Sequence, residues 1–157
     1  MGPRQGFAAG LAAVSMLTVA PGAQAAAEGR IAAEMVQKLD IMLMVSSLRC
    51  RNTSDNFQAD YADFSASHLA ELNQASDTLK ADLTRSVGDA GAQRALDKLS
   101  TSMANQYGQG HPWLDCHDLK LVTRELADDR RPGVLLSAAD DLLDNHGNGR
   151  ASLEARY

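Results

Sequence analysis

The sequence predicts an all-α fold, a helical bundle of four to five helices in one domain. Three observations predict it. Apolar residues recur at intervals of three to four in five stretches, and no stretch alternates with the period of two that a half-buried strand requires. Clusters of Gly, Pro, Asn and Asp separate the stretches.

The first stretch covers about residues 28–48, with Ile31, Met35, Leu39, Met42 and Met44-Val45 on its apolar face. Arg49-Cys50-Arg51-Asn52-Thr53 reads as its exit. Ser54 or Asp55 then reads as the next N-cap, because a short side-chain oxygen accepts the free amides of a first turn. The second stretch has the cleanest period: Phe57, Tyr61, Phe64, His68, Leu72, Ala75, Leu79, Leu83 and Val87 share one stripe. Drawn as one long helix it is the expected spine of the bundle, with Asn73 to Asp77 the point where it kinks or restarts. Gly88 and Gly91 bracket a turn. Asp89 can cap a third helix whose face is Ala92, Leu96, Leu99, Met103 and Tyr107. Gly108-Gln109-Gly110-His111-Pro112 is the strongest punctuation in the chain. Pro112 suits the first turn of a fourth helix, where its missing N–H is not needed, and that helix carries Trp113, Cys116, Leu119, Val122 and Leu126. Residues 128–133 end it, and a short fifth helix covers roughly 134–143. Residues 145–157 read as a Gly-rich polar tail, and no internal repeat or linker divides the domain expected over residues 26–144.

The amino-terminal segment reads as a Sec-type signal peptide spanning residues 1–25. Arg4 gives a weakly positive start, residues 7–20 form an apolar run free of charge, Pro21-Gly22 breaks the helix, and Ala23-Gln24-Ala25 supplies small residues for the peptidase. Cleavage is expected between Ala25 and Ala26, with a fallback after Ala27. The apolar run is shorter than the roughly 20 residues of a stable membrane anchor. No cysteine follows the cleavage site to carry lipid, and no twin arginine precedes the run. Removing residues 1–25 takes away one basic residue, Arg4, so the 15 basic and 20 acidic residues of the chain become 14 and 20, a formal charge of −6. That balance, with basic residues scattered through the sequence, argues against nucleic acid or an anionic membrane as partner. A periplasmic or secreted protein is the expectation.

Two cysteines far apart in an oxidising compartment are expected to pair, which gives a Cys50–Cys116 disulfide. The alternative is a metal site. His111, Asp115 and His117 lie close in sequence around Cys116, although paired ligands on both sides, as structural zinc sites have, are missing. Covalent haem is excluded because position 113 is Trp where the attachment motif needs a second Cys. Non-covalent haem would need one of Met35, Met42 and Met44 with His146, and methionines in an apolar stripe more often fill the core. The stretch from Asp144 to Ala155 resembles a calcium loop but has His146 at its third position and Glu154 one place early. His68 reads as a core histidine, and Asp60 and Asp63 as a solvated face. Neither a Gly-rich phosphate loop, a Gly-x-Ser-x-Gly elbow nor a His-Glu-x-x-His helix is present.

The stretch from Leu39 to Cys50, the segment Asp55-Asn-Phe-Gln-Ala-Asp-Tyr61 with Phe64, Met103-Ala-Asn-Gln-Tyr107 and His111-Pro-Trp-Leu-Asp-Cys116 resemble a group of small exported helical proteins of alphaproteobacteria. The resemblance covers roughly residues 36–126 and implies no activity. Some members of that group carry the name S-adenosyl-L-homocysteine hydrolase. Such an enzyme resembles a large α/β protein with an NAD-binding Rossmann unit, and this chain has no strand–Gly-x-Gly-x-x-Gly–helix. The functional expectation is therefore a helical binding or interaction module without catalytic chemistry, needing no cofactor and engaging an envelope protein, a peptide or a small molecule. A metal- or cofactor-binding protein using His111, Asp115 and His117 or the C-terminal loop is the alternative, and a small exported hydrolase a second.

Overall fold

The computed structural model describes residues 21–143. Among these the chain forms five helices and no strand: α1 Pro21–Cys50, α2 Gln58–Ser67, α3 Leu69–Tyr107, α4 Cys116–Asp128 and α5 Val134–Leu143. The expected tail at 145–157, with His146 and the calcium-like loop, and residues 1–20 of the expected signal segment lie outside the described residues. The all-α bundle is as the sequence predicts.

The spine is α1, not the second stretch. Ile41, Met42 and Leu43 are buried in succession, and Val36, Leu39, Ser46, Ser47 and Cys50 are buried around them, so α1 is covered on more than one face. Helices α2, α3, α4 and α5 all pack on it, and α2 also pairs with α4. The helix is already formed at Pro21-Gly22, where a break was expected. Proline is tolerated in a first turn and the alanines that follow are strong helix formers. Two residues assigned to the apolar face of α1, Ile31 and Met44, are exposed.

A change of direction at Gly88 divides α3 in two. This residue has φ 73° and ψ 168°, a backbone conformation open essentially to glycine alone. The first limb, 69–87, runs toward the beginning of α1, where Asp82 lies 3.7 Å from Arg30. The second limb, 89–107, returns, and Gly110 just beyond it lies against the Arg49 guanidinium at the far end of α1. The turn expected at Gly88 is therefore a helical hairpin folded around α1.

The second stretch does kink, but at His68 rather than between Asn73 and Asp77. There the backbone reaches φ −110° and ψ 14° while the bonds His68 N–H to Phe64 O and Leu72 N–H to His68 O carry the ladder through. The cause is the imidazole, which is buried and donates Nε2–H to Leu126 O at 2.7 Å. That carbonyl is among the last four of α4, which have no acceptor role inside their own helix. Residues 73–77 stay helical because Asn73, Gln74 and Asp77 face water and only Ala75 enters the core.

Two helix starts also differ from expectation. Phe57, fully buried, is the N-cap of α2 in place of Ser54 or Asp55, and Asn56 accepts from the Gln58 amide at 3.0 Å. Helix α4 begins at Cys116 rather than at Pro112, because Asp115 makes a capping box with Asp118. Pro112 and Trp113 thus belong to the preceding loop. Cys50, the last residue of α1, and Cys116, the first of α4, form a disulfide with Cα atoms 5.8 Å apart, across a separation of 66 residues. No helix among the described residues is long and apolar enough to cross a membrane.

Candidate functional site

The reactive-looking residues gather at one end of the bundle, around the disulfide, and each is occupied there. The His111 imidazole is buried, stacked on Tyr107 with centroids 5.5 Å apart and meeting the Trp113 ring edge-on at 4.6 Å. Its Nε2–H donates to Leu142 O at 2.9 Å, and Nδ1 accepts from the Leu114 amide at 3.3 Å, a pairing that assigns the Nε2–H tautomer. Burial pushes the His111 pKa below its ordinary value, and the Leu142 carbonyl pulls less strongly the other way. With one nitrogen donating and the other accepting, neither is left for a metal.

Asp115 is committed through one oxygen. Its Oδ1 accepts from the amides of His117 at 2.8 Å and Asp118 at 3.0 Å, while Asp118 Oδ2 accepts from the Asp115 amide at 3.3 Å. His117 is exposed and pairs through Nδ1 with Asp55 Oδ1 at 3.2 Å; that bond is the first cause of the lowered Asp55 pKa. The structure therefore places His111 against α5, Asp115 on the first turn of α4 and His117 against the 51–57 loop. Among the described residues no group of three His, Cys, Asp or Glu side chains could hold a metal ion. The methionines do not converge either: Met42 is fully buried, Met35 lines a surface cleft and Met44 is exposed. Asp60 accepts from Arg124 Nε at 3.0 Å in a polar groove between α2 and α4, and Asp63 stays exposed beside it.

The other end of the molecule has a different character. An open groove of about 520 Å³ runs between α1 and α5, floored by Ile31, Ala32, Met35 and Leu136. Ile31 is 50% exposed and Leu136 38%. Met35 and Asp140 also line a second cleft, of about 470 Å³, which continues under Leu99, Met103 and Leu143. The charges nearby divide into two sets. Glu34 takes both Arg30, at 3.4 Å, and Lys38, at 2.6 Å, which neutralises that side of α1. Glu28 and Asp140, one on each wall of the groove, have no ion-pair partner among the described residues. The groove is apolar at its floor and acidic at its rim.

The helical period puts Ile31 and Met35 on the apolar face of α1 with core residues such as Leu39 and Met42. Periodicity marks apolar positions but does not say whether another helix covers them. The available signal was Val134-Leu135-Leu136, three apolar residues in succession on a short helix. Such a run points in more than one direction, so a short helix packed on one side only leaves part of it uncovered. No family model, curated protein or solved structure matches this chain.

Proposed function

We propose that this chain is an exported helical binding module without chemistry of its own, and that its α1–α5 groove takes a peptide helix with an apolar face and basic flanks. The observation that carries the reading is the groove itself: exposed Ile31 and Leu136 over Met35, between unpaired carboxylates at Glu28 and Asp140. An apolar face would cover the floor, and lysines or arginines on its flanks would meet Glu28 and Asp140. Export is supported by the signal-like residues 1–25 and by the Cys50–Cys116 bond, which persists in oxidising compartments. The residues beside both expected cleavage points are open to the peptidase, since Gly22 and residues 24–29 are all exposed.

The binding test is an NMR titration of the chain from Ala26 onward with a designed helical Leu/Lys peptide, beside a Leu/Glu peptide of equal length. Saturable shifts at Ile31, Met35 and Leu136 with the basic peptide alone are expected, and Leu136→Lys should abolish them. Equal binding of both peptides, or none, would overturn the reading, as would a dimer of this chain that Leu136→Lys dissolves. Export is tested separately by mass spectrometry of the envelope form. A mature terminus at Ala26 or Glu28 is expected, and retention of Met1 or Gly2 would refute processing.

A further inference from the structure

Two imidazoles are buried in the bundle, and each donates Nε2–H to a carbonyl of a helix that packs on α1: His68 to Leu126 O of α4, His111 to Leu142 O of α5. Their second nitrogens differ. Nδ1 of His68 lies 3.7 Å from the Glu71 carboxylate. Nδ1 of His111 instead accepts a backbone N–H, that of Leu114. Nδ1 of His68 thus faces a carboxylate, whereas Nδ1 of His111 faces a donor.

From α3 His111 faces the Tyr107 ring, whose phenol is neutral in the acid range and whose pKa burial raises further. From its own loop it faces the Trp113 indole, whose buried N–H has no hydrogen-bond partner among the described residues. On α1 the Arg49 guanidinium packs at Gly110, and Lys38 of α1 with Asp140 of α5 lines the cleft that Tyr107 and Leu143 share. Helix α5 presents the Leu142 carbonyl, with Asp141 beside it in the chain. Asp115, on the loop's far side, is held by the α4 capping box. Among the described residues, burial and, less strongly, the Leu142 bond act on the ring's protonation. The Leu142 carbonyl favours a charged ring, burial opposes it, and burial is the larger.

We propose that His111 is an acid-released latch between the 108–115 loop and the last turn of α5. The neutral ring holds both sides at once. When a proton from solvent adds to the Nδ1 lone pair, the acceptor of the Leu114 amide becomes an N–H, and two donors then face each other at hydrogen-bond distance. The ring cannot stay there without leaving two buried donors unpaired, so it withdraws and α5 loses its polar tie to the loop. Tyr107 and Leu143, on either side of this tie, line the cleft that continues into the α1–α5 groove, so release loosens one wall of that groove. The latch does not depend on what the groove binds.

The test uses the chain from Ala26 onward, with the disulfide intact, between pH 7.5 and 4. The sole tryptophan of the chain, Trp113, sits against the latch, so its emission, the Leu114 amide shift and α5 amide exchange report release together. All three should move in one transition whose midpoint lies below 6.5, while far-UV circular dichroism holds steady. His111→Gln carries a donor and an acceptor without a titrating group, and should abolish the transition; His68→Gln should leave it in place. If His111→Gln does not fold, the His111 Cε1 proton shift of the parent must still titrate together with the Leu114 amide. A transition that survives His111→Gln, an α5 whose exchange is unchanged once His111 is charged, or a ring that stays neutral until every helix unfolds would each overturn the latch.

Discussion

The two ends of this bundle are held by different means. At one end, residues 50–57 and 108–118 are joined by the Cys50–Cys116 bond, the Asp115 capping box, the His111 bridge to α5 and the His117–Asp55 pair. At the other, the chain reverses on the backbone freedom of Gly88, the polar tie across helices is the 3.7 Å Arg30–Asp82 pair, and apolar side chains stand in the open. The residue types that look like chemistry in the sequence, Cys, His and Asp, serve as joints. The face left free to meet a partner is built from residues that look like core. The contrast follows from what each type can do. Directional bonds fix a loop crowded by Gly110 and Pro112, while an uncovered apolar stripe costs little in the monomer and becomes useful when something covers it.

The contrast is tested most strongly by cutting the covalent joint. Closing a loop of this length stabilises by roughly 4 kcal/mol in the chain-entropy account, against a total of about 5–15 kcal/mol for a domain of this size. Cys50→Ser, or reduction of the parent, should therefore lower the melting temperature by about 10 °C or more. Amide exchange should rise first in residues 108–128 and only later in the hairpin around Gly88. A uniform rise would show that the two ends are one cooperative unit, and the contrast would then describe geometry rather than stability.

Gly88→Ala addresses the other end. A methyl group there would touch nothing within 4 Å, so the whole effect comes from the backbone, on the order of 1–3 kcal/mol for a side chain at this φ and ψ. Gly88→Asn should be no milder. Asparagine tolerates the compact left-handed region, and ψ 168° lies outside it. Thermal melts of both variants check this, and rescue by Asn would mean the reversal had relaxed into another turn.

Much of the fold was legible in the sequence because most of its signals are local. Helix periods, the Gly88 break and the pairing of the two cysteines depend on neighbours in the chain or on counting. The missed features depend on contacts between distant segments. His68 kinks its helix because a carbonyl of α4 draws its ring inward, and Asp55 gives up its expected cap to meet His117. The metal reading of His111, Asp115 and His117 rested on spacing. Spacing does not reveal that Leu142 and Leu114 occupy both nitrogens of the first, or that one oxygen of the second is spent on two amides. The groove was the least legible part, since Ile31 and Leu136 differ from core residues only in what fails to cover them.

Asp115→Ala tests the closed end by a smaller effect. It removes the acceptor of two amides and should cost about 1 kcal/mol, seen as a melting temperature lower by several degrees. Asp115→Ser should restore most of it. If alanine is silent, the disulfide alone holds the start of α4, and the closed end has one joint where several are inferred.

The smallest effect is expected midway along α1, at Asp40, which belongs to neither end. Its Oδ1 accepts the Tyr61 hydroxyl at 2.9 Å, and burial raises its pKa above the ordinary 3.8, with the Tyr61 bond pulling it back in part. The sign follows from linkage. A carboxyl whose folded pKa is raised binds its proton more readily in the fold than in the unfolded chain. Its charge therefore opposes folding above that raised value, and the opposition fades as pH falls toward 3.8. Asn at this position keeps the acceptor and drops the charge. Asp40→Asn should thus stabilise slightly at pH 7, by up to about 1 kcal/mol, and this advantage should vanish near pH 3.5. Acidification acts oppositely at His111, whose depressed pKa makes it a source of stability that is lost below 6.5. Melting curves of parent, Asp40→Asn and His111→Gln across pH separate the two groups. An Asn advantage that persists at pH 3.5 would assign it to packing rather than to charge.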